Sequence, residues 1–162
     1  MASHLVTQGE FAAYIGDSGL EAPRHWRNVD GRWQVRRFDR WMALDAQAPM
    51  VHASFADARD YCRWNHRRLP TEAEWEFAAN AGVLSEMFGH VWQWTSSIFE
   101  PYPGFRPGPY ADYSQPWFHS HYVLRGSSFA TRPRLSHSRY RNFYLPERND
   151  PFAGFRTCAL ER

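Results

Sequence analysis

The residues best suited to recognition chemistry crowd one stretch, Arg139-Tyr-Arg-Asn-Phe-Tyr-Leu-Pro-Glu-Arg148, where arginines alternate with aromatic rings. A guanidinium is a planar fork that matches a carboxylate, and an aromatic face attracts a quaternary ammonium. Arg148 is also close in sequence to Glu147 and Asp150, so a surface ion pair is the competing reading. Tyr102 and Tyr110 sit in the loop Phe99-Glu-Pro-Tyr-Pro-Gly-Phe-Arg-Pro-Gly-Pro-Tyr110, and each phenol could serve chemistry or simply anchor the loop. His119 and His121 are spaced to share one side of a strand, a geometry that can hold a metal; an exposed edge pair is the alternative. Glu72, Glu74 and Glu76 fall at a helix start, where negative charge suits the macrodipole better than it suits paired acid–base work.

Composition removes several other chemistries. All 19 basic residues are arginine, so a P-loop lysine, a lysine Schiff base and a lysine general base are excluded. The net charge is only +2, with 17 acidic residues interleaved and no basic run beyond two arginines, which argues against nucleic-acid binding. No apolar run approaches a membrane span, and the first residues lack the basic start and apolar core of a signal peptide. A cytoplasmic chain is expected, with Cys62 and Cys158 as buried free thiols rather than a disulfide. At 162 residues the chain suits a single domain.

The elements that must position these residues divide the chain in two. Helix signals belong to the first half. Thr7-Gln-Gly-Glu10 is a capping box ahead of Phe11, Tyr14 and Ile15, with Gly16 to Gly19 closing the helix. Ser54 caps a second helix whose Phe55, Ala58, Tyr61 and Cys62 share a face. Pro70, Thr71 and Glu74 open a third, with Trp75, Ala78 and Ala79 inward. Short strands are expected at 33–38, 91–95, 121–125 and 154–159, joined by long loops rich in Pro, Gly and aromatics. Loops of that length within one domain usually serve binding. The pattern is that of a loop-rich α+β domain without internal repeats.

Four blocks then follow in order: Arg68-Leu-Pro-Thr-Glu-Ala-Glu-Trp-Glu76, Gly89-His-Val-Trp-Gln-Trp-Thr95, Leu124-Arg-Gly-Ser-Ser128 and Gly154-Phe-Arg156. They resemble the signatures of the formylglycine-generating-enzyme (sulfatase-modifying factor) superfamily, which implies a C-type-lectin-like core. Ala2-Ser-His-Leu-Val-Thr-Gln-Gly-Glu-Phe11, Pro101-Tyr-Pro-Gly-Phe105, Arg141-Asn-Phe143 and Phe152-Ala-Gly-Phe-Arg-Thr-Cys158 are similar to the C-terminal domain of ergothioneine-pathway sulfoxide synthases, and the 139–148 stretch to their selenoneine-synthase branch. Those enzymes use non-heme iron and O2 to join sulfur or selenium to hercynine, a trimethylated histidine betaine.

The resemblance implies a small-molecule pair of substrates, hercynine with a thiol or a selenosugar. It implies Tyr102, or alternatively Tyr110, as a proton donor near the iron. Phe143, Tyr144 and Arg148 fall where relatives that use γ-glutamylcysteine place Trp, Asp and an anion-clamping Arg. Tyr144 therefore replaces a carboxylate, which leaves room for a different donor. The family's iron is held by three histidines on an N-terminal helical domain with an H-x-x-x-H-x-E motif, which this sequence does not contain. The expectation is a domain that binds no cofactor alone and depends on Fe(II) from a helical partner domain or subunit. The link from Ala79 to Met87 is shorter than the family's, so a stretch is expected to be missing. Formylglycine generation is not expected, because Ser127 and Ser128 stand in the Arg-Gly block and Cys158 has no near partner. Nor is calcium expected at the second block, where His90 and Gln93 replace Asn and Glu. The alternative function is a lectin-like module that binds ligand or serves a structural role without catalysis, as the fold does in diversity-generating variable proteins.

Overall fold

The computed structural model describes residues 1–160. Each α-helix begins where the sequence places a cap. Helix α1 (Gln8–Ser18) carries the reciprocal Thr7–Glu10 box and ends on left-handed Gly19. Helix α2 (Phe55–Trp64) is boxed by Ser54 and Asp57 and buries Phe55, Ala58, Tyr61 and Cys62. Helix α3 (Glu72–Ala81) is boxed by Thr71 and Glu74, buries Trp75 and Ala78, and ends on left-handed Gly82. The described residues of the second half form only short 3-10 turns besides strands.

Strands β1 (Trp26–Val29), β2 (Arg32–Arg37) and β3 (Arg40–Ala43) make an antiparallel sheet, where one strand was expected from the sequence. Asp30 and Gly31, both at positive φ, turn β1 into β2. An Asp-Gly pair is the favoured two-residue hairpin turn, so the signal was present but the flanking arginines masked the alternation. The central sheet runs in the order β7 (Asn142–Tyr144), β6 (Tyr122–Gly126), β5 (Trp92–Ile98), β8 (Ala153–Gly154). Its β5–β8 pair is parallel, and its other pairs are antiparallel. The single strand expected at 154–159 is instead split. Residues 155–157 leave the sheet, and β9 (Cys158–Ala159) pairs with β4 (Arg67–Arg68).

The core is one aromatic-rich cluster between α1, α2 and the central sheet, with a smaller one of Trp75, Ala78 and Met87 beneath α3. Phe11, Tyr61 and Phe155 interlock at ring separations of 5.3–6.4 Å. Between the two clusters lies Gln93, fully buried. Its Oε1 accepts from Trp75 Nε1 and Arg156 Nε, each at 2.8 Å. Its Nε2 donates to the carbonyls of Glu86 and Met87 at 2.9 and 3.1 Å. Arg156 extends the network to the carbonyls of Ala2, Ser3 and Ser85. Burial lowers the Arg156 pKa to about 10, so it stays protonated at neutral pH. The network clamps the chain's first residues and the short 82–91 link onto the sheet.

Replacing Gln93 with Leu leaves the Trp75 and Arg156 donors and two carbonyls buried and unpaired. We expect a loss of about 3 kcal/mol or more in denaturant unfolding. Glu74 provides a pH test. Bidentate pairing with Arg68 (2.6 and 2.8 Å) lowers its carboxyl from the ordinary 4.5 to about 2, assisted by Thr71 against the opposing effect of burial. A depressed folded-state pKa stabilises above pH 4.5, and that contribution is lost as pH falls through about 2. The pair is partly exposed, so the effect is about 1 kcal/mol. Glu74→Gln should remove this acid-dependent share from a stability–pH curve.

Candidate functional site

Arg141, one residue before β7, organises the face that carries Tyr102 and Phe99. Its Nε and Nη2 grip Glu72 in the first turn of α3 at 2.8 and 2.9 Å, and its Nη1 donates to the Glu100 carbonyl at 2.9 Å. The guanidinium also lies 4.7 Å from the Phe99 ring and 4.4 Å from the Tyr102 ring. One side chain therefore ties helix, strand and loop together. Beneath it Arg125, fully buried on β6, is ion-paired with Glu76, approaches Glu72 at 3.7 Å, and donates to the Ser138 carbonyl.

Tyr102 is half-exposed, and its hydroxyl donates to Glu72 at 3.5 Å. It opens onto a cavity of about 620 Å³ lined also by Glu76, Phe77, Asn80 and Arg139. Both carboxylates are already paired with Arg141 and Arg125, which leaves the two aromatic rings to meet a cationic group and Arg139 to meet an anion beside it. Phe143, Tyr144, Arg148 and Tyr110 are not among the residues lining this cavity.

Adjacent strand positions point to opposite faces, so Phe143 and Tyr144 part company. Phe143 stacks on Phe99 with centroids 4.0 Å apart and meets the edges of His121 and Tyr113. Tyr144 packs against the main core, with the Arg148 guanidinium 5.0 Å from its ring centroid. Arg148 is ion-paired with Asp150 through both Nε and Nη2, the second at 2.6 Å. Phe143 and Tyr102 are thus linked through Phe99 and Arg141, whereas Arg148 belongs to a neighbouring patch. Tyr110 is mostly exposed. Tyr113, unmarked in the sequence reading, places its hydroxyl 3.5 Å from that of Tyr140 and its ring edge on Phe143. The Tyr113 contact, followed by burial, raises Tyr140 to about 12. Arg141 and Glu72 were also missed as a pair; their separation of 69 residues hides it.

His119 and His121 do not share a strand. His119 lies in a turn at positive φ, exposed and 3.6 Å from Glu100, while buried His121 meets the Ser120 hydroxyl at 2.9 Å. The strand begins one residue later than expected, and the preceding turn separates the two rings. Among the described residues no group of three His, Cys, Asp or Glu is placed to hold a metal ion. No described helix is long and apolar enough to cross a membrane.

The model of the sulfatase-modifying factor enzyme 1-like domain matches residues 1–86 and 83–160. The chain belongs to this family. Members similar to it include the hercynine oxygenase of Mycobacterium tuberculosis, 34% identical over 93% of this chain and 50% of that protein. Ergothioneine biosynthesis protein 1 of Schizosaccharomyces pombe is 27% identical over 89% of this chain and 23% of that protein. The formylglycine-generating enzyme of Streptomyces coelicolor is 38% identical over 96% of this chain and 66% of that protein. The chain thus spans about half the length of the hercynine oxygenase it matches. That alignment runs over 214 residues, more than the 162 of this chain, so the relative carries residues lacking here. The two family matches meet at 83–86, in the short link after α3. Treponema denticola variable protein 1 has the same fold at a TM-score of 0.63 and 17% identity, covering 93% of this chain and 80% of that one. The fold is α+β and C-type-lectin-like, with loops carrying much of the surface.

Arg141→Ala should free the 99–105 segment. We expect faster proteolytic cleavage there and a stability loss of about 2 kcal/mol, from one charge-assisted bidentate pair and two ring contacts.

Proposed function

We propose that this chain is the substrate-binding domain of an iron- and O2-dependent enzyme that joins sulfur or selenium to hercynine, working with a helical domain that carries the iron on three histidines. The observation that carries the reading is the 34% identity to a hercynine oxygenase over nearly the whole chain. Iron, when bound on that helical domain, supplies the activation of O2.

The parts of this chain have separate tasks. Tyr102, at the mouth of the cavity and steadied by Glu72 and Arg141, is the proton donor, with Tyr110 as the alternate. Phe143 offers an aromatic edge beside Tyr113 and His121. Arg148 clamps a substrate anion above Tyr144, which requires the ligand to displace Asp150 from the guanidinium. A neutral Tyr144 has no charge for an α-ammonium group, which favours a selenosugar over γ-glutamylcysteine as the second substrate. Similarity to a formylglycine-generating enzyme leads to a different reading, and the thiols argue against it. Cys62 and Cys158 are buried, and burial raises both, Cys62 to about 12, so neither supplies a thiolate near neutral pH.

Calorimetric titration of the chain with hercynine tests the proposal. We expect saturable binding, abolished by Arg148→Ala and tightened several-fold by Asp150→Asn, which removes the competing carboxylate. No saturable heat at millimolar hercynine would sink it. Equal affinity in all three proteins would remove Arg148 from the site and restore the plain surface pair.

A further inference from the structure

We propose that a second cavity, between the β2–β3 hairpin and the central sheet, binds a small aromatic anion that also carries an N–H or O–H donor. This inference does not rest on the hercynine reading. The cavity holds about 410 Å³ and is bounded by Phe38, Phe129 and Phe152, within the size of ordinary small-molecule sites. Phe152 meets Phe129 at 4.8 Å and Phe38 at 6.2 Å between centroids. Phe38 and Phe129 are 78% and 61% exposed, so their rings stand in solvent around a concave space rather than packing into the core. A flat apolar body slipped among them removes that surface from water.

The polar groups define the rest of the ligand. Arg36 and Arg37 both line the cavity, and no acidic residue does. Arg36 Nε donates to the Phe38 carbonyl at 3.0 Å, and neither guanidinium forms an ion pair among the described residues. Adjacent strand positions point to opposite faces, so one guanidinium of the pair stands over the cavity, and an uncompensated cation there calls for an anion and repels a cation. Gln8, 1% exposed and also in the lining, has an Oε1 with no hydrogen-bond partner. His52 has a buried Nδ1 in the same condition. Burial lowers the pKa of this ring. A buried acceptor without a donor is costly, so the unpaired Gln8 Oε1 calls for a donor from the ligand. Ring, anion and donor together describe an indole- or phenol-type carboxylate.

Indole-3-acetate supplies all three groups, 1-methylindole-3-acetate lacks the donor, and indole lacks the charge. Titration of the full chain with each, followed by calorimetry, should show saturable binding of indole-3-acetate. Affinity should fall about tenfold for either analogue, about the worth of one lost buried hydrogen bond or charge contact. Arg37→Ala and Phe129→Ala replace exposed side chains, so both should keep the wild-type melting temperature while weakening indole-3-acetate about tenfold. Gln8→Leu should narrow the gap between indole-3-acetate and its methylated form. No saturable binding at millimolar probe, or equal affinity across the three probes and the two surface variants, overturns the proposal. So does a dimer in sedimentation that Phe38→Ala disperses while no probe binds.

Discussion

Everything in this fold hangs on the satisfaction of one buried amide. Gln93 has two acceptor and two donor positions, and four groups from distant parts of the chain use them all. An amide suits this place because it faces two N–H donors on one side and two carbonyls on the other. A carboxylate would meet Trp75 and Arg156 well but would turn a lone pair on the Glu86 and Met87 carbonyls. The short link from α3 to β5 is thereby fastened by its own backbone, where the two family matches meet. Arg156 repeats the device, with backbone carbonyls from both the N-terminal segment and the link. Buried polar groups of this kind contribute little net free energy when paired and are expensive to leave unpaired, so they specify a single arrangement.

The same economy shapes the functional face. Arginine forks meet carboxylates in pairs at Arg68–Glu74, Arg141–Glu72 and Arg148–Asp150. In the first two, the carboxylate belongs to the opening turn of α3, where the helix macrodipole already favours negative charge. Arg141 then orients Tyr102 and Phe99 through their faces while holding the loop backbone. A chain without lysine builds its recognition surface from planar cations that bond and stack at once. The cavity beside Tyr102 has its carboxylates held by arginines, whereas the phenylalanine-rimmed cavity beside Phe38 has arginine and no carboxylate in its lining, and the two suit different ligands.

Much of this architecture was legible in advance, where local chemistry decides. Thr7, Ser54 and Thr71 mark helix starts because each cap uses only residues within one turn. The burial of Trp75, Trp92 and Trp94 follows from aromatic size and spacing. The β1–β2 hairpin was readable in principle from Asp30-Gly31 but lay behind a run of arginines. Less of the candidate site could be read. Arg148 and Tyr144 were singled out, yet their packing with Asp150 and the core depends on the turn after β7. Phe143 was singled out without its partner Phe99, 44 residues earlier, because ring stacking across a sheet edge leaves no periodic trace.

The sequence by itself determined the family, the helix boundaries and the exclusion of lysine chemistry, since these depend on residue type and short spacing. Only the tertiary structure decided which groups share a surface. It separated His119 from His121, put Phe143 and Tyr144 on opposite faces of one strand, and joined Arg141 to Glu72. It also left Gln8 Oε1 and His52 Nδ1 unpaired on residues that line a single cavity. The reason is physical: pairing between distant residues is set by sheet order and loop path, and those emerge only when the whole core closes.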